Sequence, residues 1–129
     1  MSEQLTKSFI EALRKLESDR DLETISSLYS ENSEIGNVVT HEKFHGVEGA
    51  REFWSNYRNT FDRVQSEFRN QIVTDGHAAL EWTTSGSTGE GGEFSYEGVS
   101  ILEMDGDKIS RFCAYFDPAK LGRQISEND

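Results

Sequence analysis

The chain has one cysteine, Cys113, so it cannot close a disulfide on itself, and the paired cysteines of a small secreted scaffold are missing. A reducing compartment, the cytoplasm, is expected. Basic residues are scarce too: 13 Lys and Arg stand against 24 Asp and Glu, for a net charge of −11. Because they do not cluster, a phosphate backbone or an anionic bilayer would be repelled, and neither nucleic acid nor membrane is expected as a partner. No stretch approaches the roughly 18 apolar residues of a membrane helix, and Met1-Ser2-Glu3-Gln4 lacks the basic start and apolar run of a signal peptide. The sequence also lacks the glycine loop that cradles nucleotide phosphates.

What remains is ample for one domain. The 129 residues are 34% hydrophobic and 11% aromatic, enough to fill a single core without a disulfide or metal staple. The apolar residues Leu5, Phe9, Ala12, Leu13 and Leu16 share one helix face, and Leu22, Ile25, Leu28 and Tyr29 share the face of a short second helix capped by Asp21. A brief strand is expected over Glu34 to Val39, then a loop carrying His41 and His45. A third helix buries Val47, Ala50, Phe53, Trp54, Tyr57 and Phe61.

The period then changes to two. Val64, Ser66, Phe68, Asn70 and Ile72 alternate on one face, followed by a turn at Asp75-Gly76. Ala78, Leu80, Trp82 and Thr84 line the next strand. After glycines 89, 91 and 92, Phe94, Tyr96, Gly98, Ser100, Leu102 and Met104 line another. The last strand, Lys108 to Phe116, is apolar on both faces and stops at Asp117-Pro118, and a free tail is expected from about Ser126. Helices first and a meander after them give an α+β domain: a cone-shaped, curved antiparallel sheet with three N-terminal-half helices on its concave face.

Phe9-Ile10-Glu11-Ala12-Leu13, Gly49-Ala50-Arg51-Glu52-Phe53-Trp54, Glu81-Trp82-Thr83, and Gly106-Asp107-Lys108-Ile109 leading to Tyr115-Phe116-Asp117-Pro118-Ala119 follow one another in an order that resembles the nuclear-transport-factor-2-like superfamily. That group includes ketosteroid isomerases and SnoaL-like polyketide cyclases. The resemblance implies a cone with a pocket, but it also shows which activities the residues do not support. A ketosteroid isomerase needs an aspartate base, and an oxyanion hole of a tyrosine and a protonated aspartic acid. The corresponding positions here are Asn37, Phe9 and Ser100. The catalytic aspartate of SnoaL-like cyclases falls on Ala114.

Each polar candidate has an ordinary reading beside the functional one. His41 and His45 have a spacing of four, but no third donor is near them in sequence, so no metal site is expected and a solvated loop is the plain alternative to a proton carrier. Asp117 before Pro118 reads as a helix cap, Cys113 as a small buried hydrophobe, and Glu81 and Glu97 as outward-facing groups. Asn37, Tyr57, Asn70 and Ser100 are the candidate hydrogen-bond donors for catalysis, with His41 or His45 carrying the proton. Phe9, Asn37, Trp54, Tyr57, Phe68, Asn70, Trp82, Tyr96, Ser100 and Phe112 are the expected ligand wall. No cofactor is expected. The function these residues suggest is binding of a small, largely apolar molecule, with isomerase, cyclase, dehydratase or hydrolase chemistry open. The alternative is a non-catalytic interaction or dimerisation module. Val99 and Ile101 on the outward sheet face point to a homodimer.

Overall fold

The computed structural model describes residues 2–40, 42–89 and 91–128. Helix α1 (Ser2–Asp19) buries the stripe from Leu5 to Leu16. The short α2 (Leu22–Ser26) starts at Asp21, whose carboxylate accepts from the Thr24 N–H at 3.2 Å. Tyr29 does not extend that helix. It opens strand β1 (Tyr29–Asn37), whose first half escapes a period-two reading because a bulge lies between Tyr29 and Glu34 in its pairing with β6. Strand β2 (Phe44–His45) and helix α3 (Gly46–Thr60) follow, and α3 buries Ala50, Phe53 and Trp54.

Strands β3 (Arg63–Thr74), β4 (His77–Ser87), β5 (Glu93–Asp105) and β6 (Lys108–Phe116) form the meander. Its turns run through Gly76 and Gly106 at φ +84° and +64°, a left-handed backbone that costs glycine nothing. The six strands lie in the order β2-β1-β6-β5-β4-β3. One pair departs from the expected antiparallel sheet: β1 runs parallel to β6. The sheet is curved and unclosed, and the helices lie on one side of it, over a core centred on Leu16, Ile25, Ile35, Leu80, Leu102 and Ile109. No helix among the described residues is long and apolar enough to cross a membrane.

Past Asp117 the chain forms a fourth helix, α4 (Pro118–Asn128), which runs through the segment read as a free tail. Asp117 is its cap: Oδ1 accepts from the Ala119 and Lys120 N–H groups at 3.0 and 3.3 Å. The Gln124 side chain pins α4 to β5 by accepting from the Ser95 N–H at 2.8 Å and donating to the Ser95 carbonyl at 2.7 Å. The helix is thereby held over the open end of the cone.

Candidate functional site

A cavity of about 410 Å³ lies between α1, α3, α4 and the concave face of the sheet. Residue size explains the space. Ser66, Thr84, Gly98, Ser100 and Ala114 all fall on the concave face, where larger side chains would meet the helices. The floor is formed by the buried Phe9, Trp54, Trp82 and Phe112, while Val39, Asn56, Thr60, Pro118 and Gly122 both line the cavity and reach solvent, marking its mouth.

The aromatic floor is held in place by hydrogen bonds and by ring packing. Trp54 Nε1 donates to the Tyr29 hydroxyl at 3.1 Å, and its ring packs edge-on to Phe112 at 5.2 Å and Tyr57 at 5.4 Å. Trp82 Nε1 donates to Ser100 Oγ at 2.9 Å, and its ring packs edge-on to Tyr96 at 5.3 Å. Gly98, the Trp82 cross-strand partner, makes that placement possible: a Cβ there would come within 2.7 Å of Trp82 Cζ2.

One acidic group stands behind the wall. Glu17, near the end of α1, is only 5% exposed. Its carboxylate accepts from the Tyr57 hydroxyl at 2.8 Å, the Ser66 N–H at 3.0 Å and Ser66 Oγ at 2.6 Å. With the Ser66 hydrogen directed at Glu17, the Thr84 hydroxyl 2.7 Å away donates to Ser66. A relay of hydroxyls therefore joins β4, β3, α1 and α3. Burial first, and the Glu17 charge second, hold the Tyr57 hydroxyl well above the ordinary phenol range. Tyr96 is raised for the same two reasons, and its hydroxyl forms no hydrogen bond among the described residues. Tyr57 is half-buried by surface area because part of its ring faces the cavity.

Of the expected ligand wall, Phe9, Asn37, Trp54, Tyr57, Phe68, Trp82, Tyr96, Ser100 and Phe112 all line the cavity. Asn70 does not. A bulge between Phe68 and Asn70 pairs Phe68 with Trp82 but Asn70 with Glu81, so the alternation flips at Arg69 and Asn70 lies exposed on the convex face. There its amide donates to the Glu81 carboxylate. Ile72 follows it outward and is 63% exposed. His45 is exposed at the start of α3 and lines a separate surface groove with Lys43, Glu48 and Arg51, away from the cavity wall. His41 lies outside the described residues. Asn37 is committed locally: its Oδ1 accepts from the Val39 N–H at 2.9 Å.

The positions that correspond to the isomerase and cyclase residues, Phe9, Asn37, Ser100 and Ala114, do meet in this cavity, without a carboxylate among them. The carboxylate present, Glu17, was missed by sequence reasoning, although a signal exists. Phe9, Leu13 and Glu17 are spaced by four, so Glu17 continues the apolar stripe of α1 where a solvated acid does not belong. No group of His, Cys, Asp and Glu among the described residues is arranged to hold a metal.

The sequence matches the model of the SnoaL-like domain over residues 7–112. The chain belongs to the SnoaL-like domain family. Among curated proteins, none matches it significantly. The structure matches 399 solved chains, and a fold so widely used carries no single activity. One is TerC co-crystallized with polyporic acid, 18% identical, with a TM-score of 0.82 over 97% of this chain and 98% of that one. A second, from Catenulispora acidiphila, has a ketosteroid-isomerase-like fold and is in complex with trimethylamine. It is 13% identical, with a TM-score of 0.80 over 92% of each chain. A third is an LEH-like epoxide hydrolase of Mycobacterium tuberculosis, 16% identical, with a TM-score of 0.73 over 98% of this chain and 92% of that one. At these identities the likeness is one of fold.

Proposed function

We propose that this SnoaL-like protein binds a small, largely apolar molecule inside the cone and presents to it a few fixed polar groups. The hollow itself carries the reading: an aromatic-lined space of about 410 Å³ with a mouth to solvent falls within the usual size range of small-molecule sites. Tyr96, whose hydroxyl has no hydrogen bond among the described residues, and Ser100, which accepts from Trp82 and keeps its own hydrogen to give, are the polar contacts offered to the ligand. Tyr57 and Glu17 form the acid–base pair for any proton transfer, taking the role first assigned to the histidines. Structural relatives that hold polyporic acid and trimethylamine support the choice of a small molecule. The test is a panel of small apolar molecules, read by tryptophan fluorescence and melting temperature. A binder should perturb Trp54 and Trp82 emission and raise the melting temperature by mass action. A panel in which no compound does either would favour the interaction module.

The convex face supports a second copy of the chain as partner. Ile72, Ala79 and Ile101 are successive cross-strand partners over three strands, with Val99 and Tyr115 in the next row, while Cys113 beside Ile101 is buried. Arg111, bound to Glu103 at 3.0 Å and Glu34 at 3.4 Å, borders this apolar band. Such a patch is costly on a monomer. Light scattering at tens of micromolar should give twice the 14.6 kDa chain mass, and a strictly monomeric mass would remove the proposal.

A further inference from the structure

We infer that the molecule this cavity takes is a cation, an apolar amine or quaternary ammonium. This rests on the reading of the cone as a ligand site and adds the sign of the ligand's charge. Three observations carry it. Among the described residues the wall includes no Lys, Arg or His, so an anion would meet hydroxyl and amide donors there but no positive charge. The rings of Trp54, Tyr57, Trp82, Tyr96 and Phe112 line the space, and the π faces of such rings attract alkylated ammonium groups. Glu17 places a negative charge immediately behind Tyr57 and Ser66.

That charge has three hydrogen-bond donors and, among the described residues, no ion-pair partner. The ion pairs among the described residues join Arg51 to Glu23 and Glu48, and Arg111 to Glu34 and Glu103. Arg58 senses Glu17 beyond ion-pair distance and offsets part of its field; its two Nη atoms donate to the Phe61 and Asp62 carbonyls at 3.0 and 3.4 Å, and its Nε has no partner among the described residues. Lys43 Nζ lies 3.4 Å from the Asn37 carbonyl and 3.5 Å from Thr40 Oγ1, outside the lining. In a water-poor interior the field of a carboxylate that has hydrogen bonds but no ion-pair contact is weakly screened. A cation in the cavity would therefore gain from Glu17 as well as from the rings, a neutral molecule only from burial, and an anion would be repelled. The net charge of −11 favours the approach of the same class of ligand.

The test compares benzyltrimethylammonium with neopentylbenzene, its neutral isostere, by tryptophan fluorescence titration of the whole protein. In the wild type the cation should bind at least tenfold more tightly, and in Glu17→Gln, which keeps the side-chain shape, that preference should fall several-fold. Equal or tighter binding of neopentylbenzene by the wild type would overturn the inference while leaving the ligand site intact. An undiminished preference in folded Glu17→Gln would overturn it as well. If neither probe binds, the ligand site falls and the inference with it. The wild-type comparison decides the matter even if the variant does not fold.

Discussion

Replacing Glu17 by leucine is expected to cost the fold on the order of 3 kcal/mol. Leucine fills most of the space but accepts nothing, so the Tyr57 hydroxyl and the Ser66 N–H lose their acceptor inside the protein. Each buried donor left alone costs about 1–3 kcal/mol. The Ser66 hydroxyl can turn to Thr84, and the added apolar contact returns part of the loss, which keeps the total near the lower half of the sum. Glu17→Gln retains one acceptor oxygen, and Tyr57 can reverse its bond to accept from the new amide, so a loss of about 1 kcal/mol is expected there. Urea unfolding at neutral pH separates the two variants. A leucine variant within about 0.5 kcal/mol of wild type, the range of an ordinary surface substitution, would mean that the network does not hold the cone together.

Gly98→Ala should disturb the cavity more than its single added carbon suggests. The new Cβ presses on the Tyr115 carbonyl oxygen and on Trp82 Cζ2 and Cη2, the last two at 2.7 and 2.8 Å. Backbone in a paired strand cannot retreat far, so the indole must move into the cavity and give up its bond to Ser100. Overpacking of this kind costs about 1–3 kcal/mol. Tryptophan emission should shift, and affinity for a bound small molecule should fall by at least tenfold. A variant that binds as wild type does, with Trp82 emission unchanged, would show that Gly98 is not what seats the indole.

Helices α1 to α3 and the three long hairpin strands were legible because burial repeats with a fixed period. Phe9, Leu13 and Leu16 recur at helical spacing, and Trp82 and Thr84 or Tyr96 and Ser100 at strand spacing, so most of the cavity wall followed from alternation. The failures lie where the period breaks. Arg69 is one extra residue in β3, with no glycine or proline to announce it, and it sends Asn70 to the opposite face from the one alternation assigns. The polar run Ser30-Glu31-Asn32-Ser33 conceals the first half of β1 for the same reason, a bulge against β6. An acid near a helix end ordinarily reads as solvated; the spacing of Glu17 from Phe9 and Leu13 hints at burial, and its contacts with β3 and α3, 40 or more residues away in sequence, fix its partners. Helix α4 announces its start at Asp117-Pro118, but its hold on β5 through Gln124 and Ser95 is a long-range contact that no local period shows.

Whether the cone is hollow is the claim on which the ligand, its charge and the Gly98 effect all depend. Xenon enters apolar cavities without needing any particular recognition chemistry, and titrating it into the protein while recording amide and indole NMR signals tests the hollow directly. Saturable shifts confined to Phe9, Trp54, Trp82, Ser100, Phe112 and their neighbours are the result expected of a cavity of about 410 Å³ bounded by those residues. Shifts that fail to saturate, or that appear only on the convex face around Ile72 and Ile101, would mean that the aromatics fill the cone and that the protein works through its surface.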